Sequence, residues 1–133
     1  MRIPLLHSAA TVAVAAVLAA GCGGSGGGGG SSSAGSTPAN AQVVEIDVAQ
    51  SGFAFAKTTA TANAGTVELK SMNPQSVTHD ISIKGNGVDE QGNQVSSGGV
   101  STVTVDLKPG KYTFYCSVPG HEEAGMKGTL TVS

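Results

Sequence analysis

The chain has 133 residues, and its composition changes so sharply near Asn40 that one folded domain of about 90 residues is expected after that point. Once Arg2 leaves with a leader, six lysines face nine carboxylates, a balance that excludes nucleic acid as a partner. Only two cysteines occur, Cys22 and Cys116, in such different surroundings that a disulfide between them is not expected.

Met1-Arg2, then Leu5, Leu6 and the apolar run from Ala9 to Ala20, have the charged-then-apolar layout of a secretory signal, too short and too Ala-rich for a membrane span. Residues 1–21 are therefore predicted to direct export. The run ends in Leu18-Ala19-Ala20-Gly21-Cys22, which resembles the bacterial lipobox, where small residues precede a cysteine that is acylated and becomes the mature N-terminus. Ala19 holds the place usually taken by a large aliphatic residue, with Leu18 one position further back. Acylation of Cys22 also accounts for an unpaired thiol in an exported chain. Residues 22–40 are rich in Gly and Ser, cannot bury apolar surface, and read as a flexible tether with a reach of about 20–25 Å. The expected result is a soluble head held at a bacterial membrane by lipid alone, facing the periplasm or the cell exterior.

Residues 41–133 read as all-β. Alternating segments occur at Val44–Val48, Thr66–Lys70, His79–Ile83, Val100–Val105, Lys111–Cys116 and Thr129–Val132, separated by turn signals at Asn63-Ala64-Gly65, Asn73-Pro74 and Lys108-Pro109-Gly110. Short strands at this spacing predict a Greek-key β-sandwich, monomeric and with room for one site. The polar, Gly-rich stretch from Gly85 to Gly99 reads as a long surface loop. Phe53 and Phe55 alternate on one face and read as core, while Tyr112 and Phe114 are expected to pack on a face opposite Cys116 or its neighbours.

Between two strand candidates, Cys116, His121 and Met126 fall five residues apart, with Pro119-Gly120 and Gly125 supplying bends. Such a loop can fold back so that thiolate, imidazole and thioether converge. His79, at the head of an upstream strand candidate, offers a second imidazole. One thiolate and two neutral imidazoles with a weak, distant thioether form the ligand set of blue-copper electron transfer. The thiolate and imidazoles serve both Cu(I) and Cu(II), so little must rearrange when one electron moves. No open coordination position is left for a substrate, and no enzymatic reaction is expected.

At this point the sequence closely resembles the plastocyanin-like cupredoxins. The likeness runs from Gly52-Phe53-Ala54-Phe55 through Asn73, His79 and Leu107-Lys108-Pro109-Gly110-Lys111-Tyr112 to Gly128-Thr129-Leu130-Thr131-Val132. It implies a single copper ion with His79 as the upstream histidine, Cys116 as the thiolate, His121 as the histidine nearest the surface and Met126 as the axial ligand. It also implies redox proteins as electron donor and acceptor. Many of these proteins carry asparagine after the first histidine, where it ties two ligand loops together. This chain has Asp80, whose charge would favour Cu(II) and lower the potential.

Three other readings are weighed against this one. Zinc sites favour several thiolates or imidazoles and do not use methionine. A fragment of a multicopper oxidase or nitrite reductase would need further histidines, and apart from His79 and His121 only His7 of the leader exists. An extracytoplasmic copper carrier or buffer would use similar ligands and trade the metal instead of the electron. Tyr115, beside Cys116, reads equally as a strand tyrosine or a surface route for electrons. Glu122 and Glu123 read as a solvated pair or as an acidic docking edge.

Overall fold

The computed structural model describes residues 37–133, so the predicted leader, Cys22 and most of the tether lie outside the described residues. Eight strands run in chain order: β1 Gln42–Glu45, β2 Thr59–Ala62, β3 Gly65–Met72, β4 Ser82–Gly85, β5 Val88–Glu90, β6 Val100–Leu107, β7 Gly110–Tyr115 and β8 Lys127–Val132. They form a three-stranded sheet in the order β1-β3-β6 and a five-stranded sheet in the order β2-β8-β7-β4-β5. In each sheet one pair is parallel, β1 with β3 and β2 with β8, and the other pairs are antiparallel. Sequential strands repeatedly change sheet, as the predicted Greek-key sandwich requires.

The core is built by period-two alternation. Val67 and Leu69 of β3, Ile83 of β4, Phe114 of β7 and Leu130 of β8 are fully buried, together with Ile46 and Ile81 just outside the strands. Each such side chain contributes roughly 1.5–3 kcal/mol through burial. Phe55 meets Phe114 edge to face, with ring centroids 5.5 Å apart. Phe114 and Cys116 belong to one core cluster, so the expectation that Phe114 packs opposite the cysteine fails: residues 112, 114 and 116 share a parity and therefore a face. Gly128 is required by close approach, since a Cβ there would stand 2.2 Å from the Phe114 ring and 2.5 Å from the Thr58 carbonyl. The strand that follows Met126 thus lies directly against the aromatic ring that precedes Cys116.

Three further sequence expectations are corrected. The Gly85 to Gly99 stretch contains β5, joined to β4 by Asn86-Gly87, both at positive φ as a two-residue hairpin turn of the primed type demands. The strand expected at His79–Ile83 begins only at Ser82, and His79 instead makes an isolated bridge with Val95. Phe53 is not core: it is 46% exposed, whereas Phe55 is 5% exposed.

Candidate metal centre

One end of the sandwich collects the residues singled out for metal binding. There β3 and β7 end while β4, β6 and β8 begin, so the connecting loops can converge. His79 is fixed by reciprocal backbone hydrogen bonds with Val95, both 2.9 Å. Its loop is braced by the buried Asn73, whose Nδ2 donates to the carbonyls of Val77 and Val95, each at 2.8 Å. Cys116 follows the last residue of β7. Its N–H donates to the Met126 carbonyl at 3.1 Å, and the Met126 N–H donates to the His121 carbonyl at 3.0 Å. The three loop residues spaced by five are thereby closed into one compact turn, as their spacing predicts.

Inside that turn the side chains converge. Cys116 Sγ lies 3.9 Å from His79 Nδ1 and 3.5 Å from His121 Nδ1, and the ligand atoms of the three residues all lie within 4.8 Å of one another. Donors about 2.0–2.3 Å from a common ion stand at separations of this order. His79, Cys116 and Met126 are buried, and the His121 residue is 9% exposed. Buried lone-pair atoms turned on one another repel unless a proton or a cation lies among them, so the donor set fits a metal ion. The His79 Nε2 atom is buried without a hydrogen-bond partner among the described residues. Among the described residues, no hydrogen bond to that atom competes to hold the ring in another orientation.

Burial sets the titration of two of these groups. Desolvation, reinforced by the neighbouring His121 and opposed by Asp80, lowers the His79 pKa, so its imidazole is offered neutral. Desolvation also raises the Cys116 pKa, only partly offset by backbone hydrogen bonds, so a metal must displace a proton to reach the thiolate.

Asp80 joins the two halves of the centre. It is fully buried, its Oδ1 accepts the Ser117 N–H at 2.6 Å, and its Oδ2 accepts the Ser117 hydroxyl. The residue after His79 is thus bonded to the residue after Cys116. Further contacts escaped the sequence reading. Lys84 binds Glu122 at 2.6 Å and stands 4.4 Å over the Tyr115 ring, whose hydroxyl donates to Asp89 at 2.9 Å. Glu122 is therefore a tether of the ligand loop to β4 and not one of a solvated pair, while Glu123 is exposed. Phe53 lies 4.4 Å from the His121 ring, ring centroid to ring centroid.

Comparison with known proteins places these features among relatives. The family of copper binding proteins of the plastocyanin/azurin type matches residues 42–133. Auracyanin B is 30% identical, with a TM-score of 0.62 over 70% of this chain and 89% of that one. Auracyanin A of the green thermophilic photosynthetic bacterium Chloroflexus aurantiacus, described as a "blue" copper protein, is 25% identical, with a TM-score of 0.59 over 68% of this chain and 98% of that one. A Cu(I) variant of amicyanin shares the fold at 14% identity, with a TM-score of 0.51 over 70% and 82% of the two chains. No curated protein matches.

Proposed function

Since the chain belongs to the plastocyanin/azurin family of copper-binding proteins, we propose that it is an exported, lipid-anchored carrier of single electrons whose copper is held by His79, Cys116, His121 and Met126. The observation that carries this reading is the buried meeting of one thiol and two imidazole Nδ1 atoms at the end of the sandwich, with Met126 bonded through its backbone to the same turn. When bound, copper supplies one electron by passing from Cu(I) to Cu(II), and a redox protein of matching potential takes it up. The protein's own residues supply the rest. The turn and the Asp80–Ser117 bonds hold the donors in one arrangement, so little reorganisation accompanies the electron. Burial excludes water and substrate from the thiolate. His121, the least buried of the four, is the natural exit for the electron.

Titration of the purified domain with Cu(II) tests the centre. One equivalent should produce an intense blue colour from thiolate-to-copper charge transfer, and a colourless product would contradict the assignment.

The anchor rests on Cys22 and the leader before it. No helix among the described residues is long and apolar enough to cross a membrane. Cys22→Ser should move the protein from the membrane fraction to the soluble fraction in its native host. A serine variant that still sediments with membranes would refute lipid anchoring.

A further inference from the structure

Among the described residues, the one hydrogen-bond-range contact of the His121 ring is with Cys116 Sγ, so packing must fix its plane. Two rings do this. The His79 ring centroid is 4.9 Å from that of His121, and the Phe53 ring is closer still at 4.4 Å, tilted by 38°. Phe53 also meets His79 edge-on at 6.2 Å, so one phenyl ring borders both imidazoles. A phenyl ring left 46% exposed gains less from burial than a core residue, so the turn that carries it contributes to its position.

The turn is held like a latch. Phe53 sits at the tip of a tight turn closed by Ala49 N–H to the Ala54 carbonyl at 3.0 Å and Ala56 N–H to the Asp47 carbonyl at 2.8 Å. The Gln75 side-chain amide donates to the carbonyls of Ala49 at 2.9 Å and Gly52 at 3.0 Å, holding the base of the turn and the residue just before Phe53. Gln75 is itself held through its N–H by Asn73 Oδ1 at 2.9 Å, and Asn73 braces the His79 loop. One run of hydrogen bonds therefore sets Phe53 and His79 relative to each other.

We propose that Phe53, latched by Gln75, is a positioning residue that clamps the His121 imidazole in its ligand orientation and slows loss of the metal past that ring. The inference rests on the copper reading above and goes beyond it by assigning these two residues a part in retaining the metal. A stacked aromatic pair contributes enough to hold back ring rotation by about three- to tenfold. Phe53→Leu keeps apolar cover but removes the flat ring, and it should release copper to excess Cu(I) chelator about three to ten times faster than wild type. Phe53→Tyr should restore the wild-type pace, and Gln75→Ala should hasten release in the same direction. The metal-free domain should show NMR contacts between the Phe53 and His121 rings, and Phe53→Leu should still unfold cooperatively, its unfolding equilibrium shifted by no more than that same three- to tenfold. Release from Phe53→Leu at the wild-type pace, or failure of Phe53→Tyr to restore it, overturns the clamp while leaving the copper reading intact. A wild-type chain that takes up no copper overturns both.

Discussion

Cys116→Ser is expected to abolish the intense visible absorption of the Cu(II) protein and to weaken copper binding by at least about a hundredfold, since even changes outside the ligand set cost 10–100-fold. A serine hydroxyl keeps its proton at neutral pH, whereas the metal can strip a proton from a thiol even where burial holds its pKa up. Serine also fits the space, so the effect falls on the chemistry and spares the fold. Cys116 directly follows β7 with its backbone fixed by Met126, and neither the strand nor that hydrogen bond depends on the side chain. Optical titration beside a chelator competition measures both quantities. A serine variant that keeps the visible band would remove Cys116 from the ligand set.

The second large effect is expected at Asp80. Its carboxylate accepts both the N–H and the hydroxyl of Ser117 from a fully buried position, so Asp80→Ala leaves Ser117 without these partners and loosens the bond between the two ligand-bearing segments. Charge-assisted hydrogen bonds of this kind contribute about 1.5–3 kcal/mol each, and denaturant unfolding of the alanine variant should register a loss of that order. Asp80→Asn separates charge from tether, because an amide can still accept from the Ser117 N–H through its oxygen. It removes one negative charge that acts on both His79 and Cys116. At an effective dielectric near 20, a unit charge about 8 Å away is worth about 2 kcal/mol, equivalent to on the order of 100 mV for one electron. Negative charge favours Cu(II) over Cu(I), so the asparagine variant should have the higher reduction potential by voltammetry. A potential that stays put would show that the Asp80 charge is screened from the centre, and one that falls would contradict the account.

The site is most legible in the sequence where chemistry restricts residue type. A cysteine, two histidines and a methionine have few reasons to share a loop and the head of a neighbouring segment, and the fold gathers the thiol and both imidazoles within 4.8 Å. The strands with clear alternation, β3, β6, β7 and β8, were legible for a similar reason: one face of each is apolar. β2 was not, because Thr59-Ala60-Thr61-Ala62 has almost no apolar contrast and becomes a strand by pairing with β8. β5 could have been found. Asn86-Gly87 is a strong hairpin signal, outweighed by the polarity of the residues around it. Phe53 and Phe55 look alike in sequence, and only the turn gripped by Gln75 sends one to the core and the other to His121. The Lys84–Glu122 pair spans 38 positions, a separation at which no local pattern can announce a contact.

Carrying electrons and carrying copper ions use the same ligands, and their rates separate them. The ligands on a turn closed by backbone bonds among Cys116, His121 and Met126 must part, by rotation of the His121 ring or opening of the turn, before the metal can leave, whereas an electron can pass through His121 with the site intact. The deciding measurement is stopped-flow mixing of the Cu(I)-loaded protein with a one-electron acceptor in the presence of excess Cu(I) chelator. The blue band should develop at the pace of electron transfer while the chelator complex forms far more slowly. Formation of the chelator complex before any blue band would contradict the electron carrier and favour a carrier of copper.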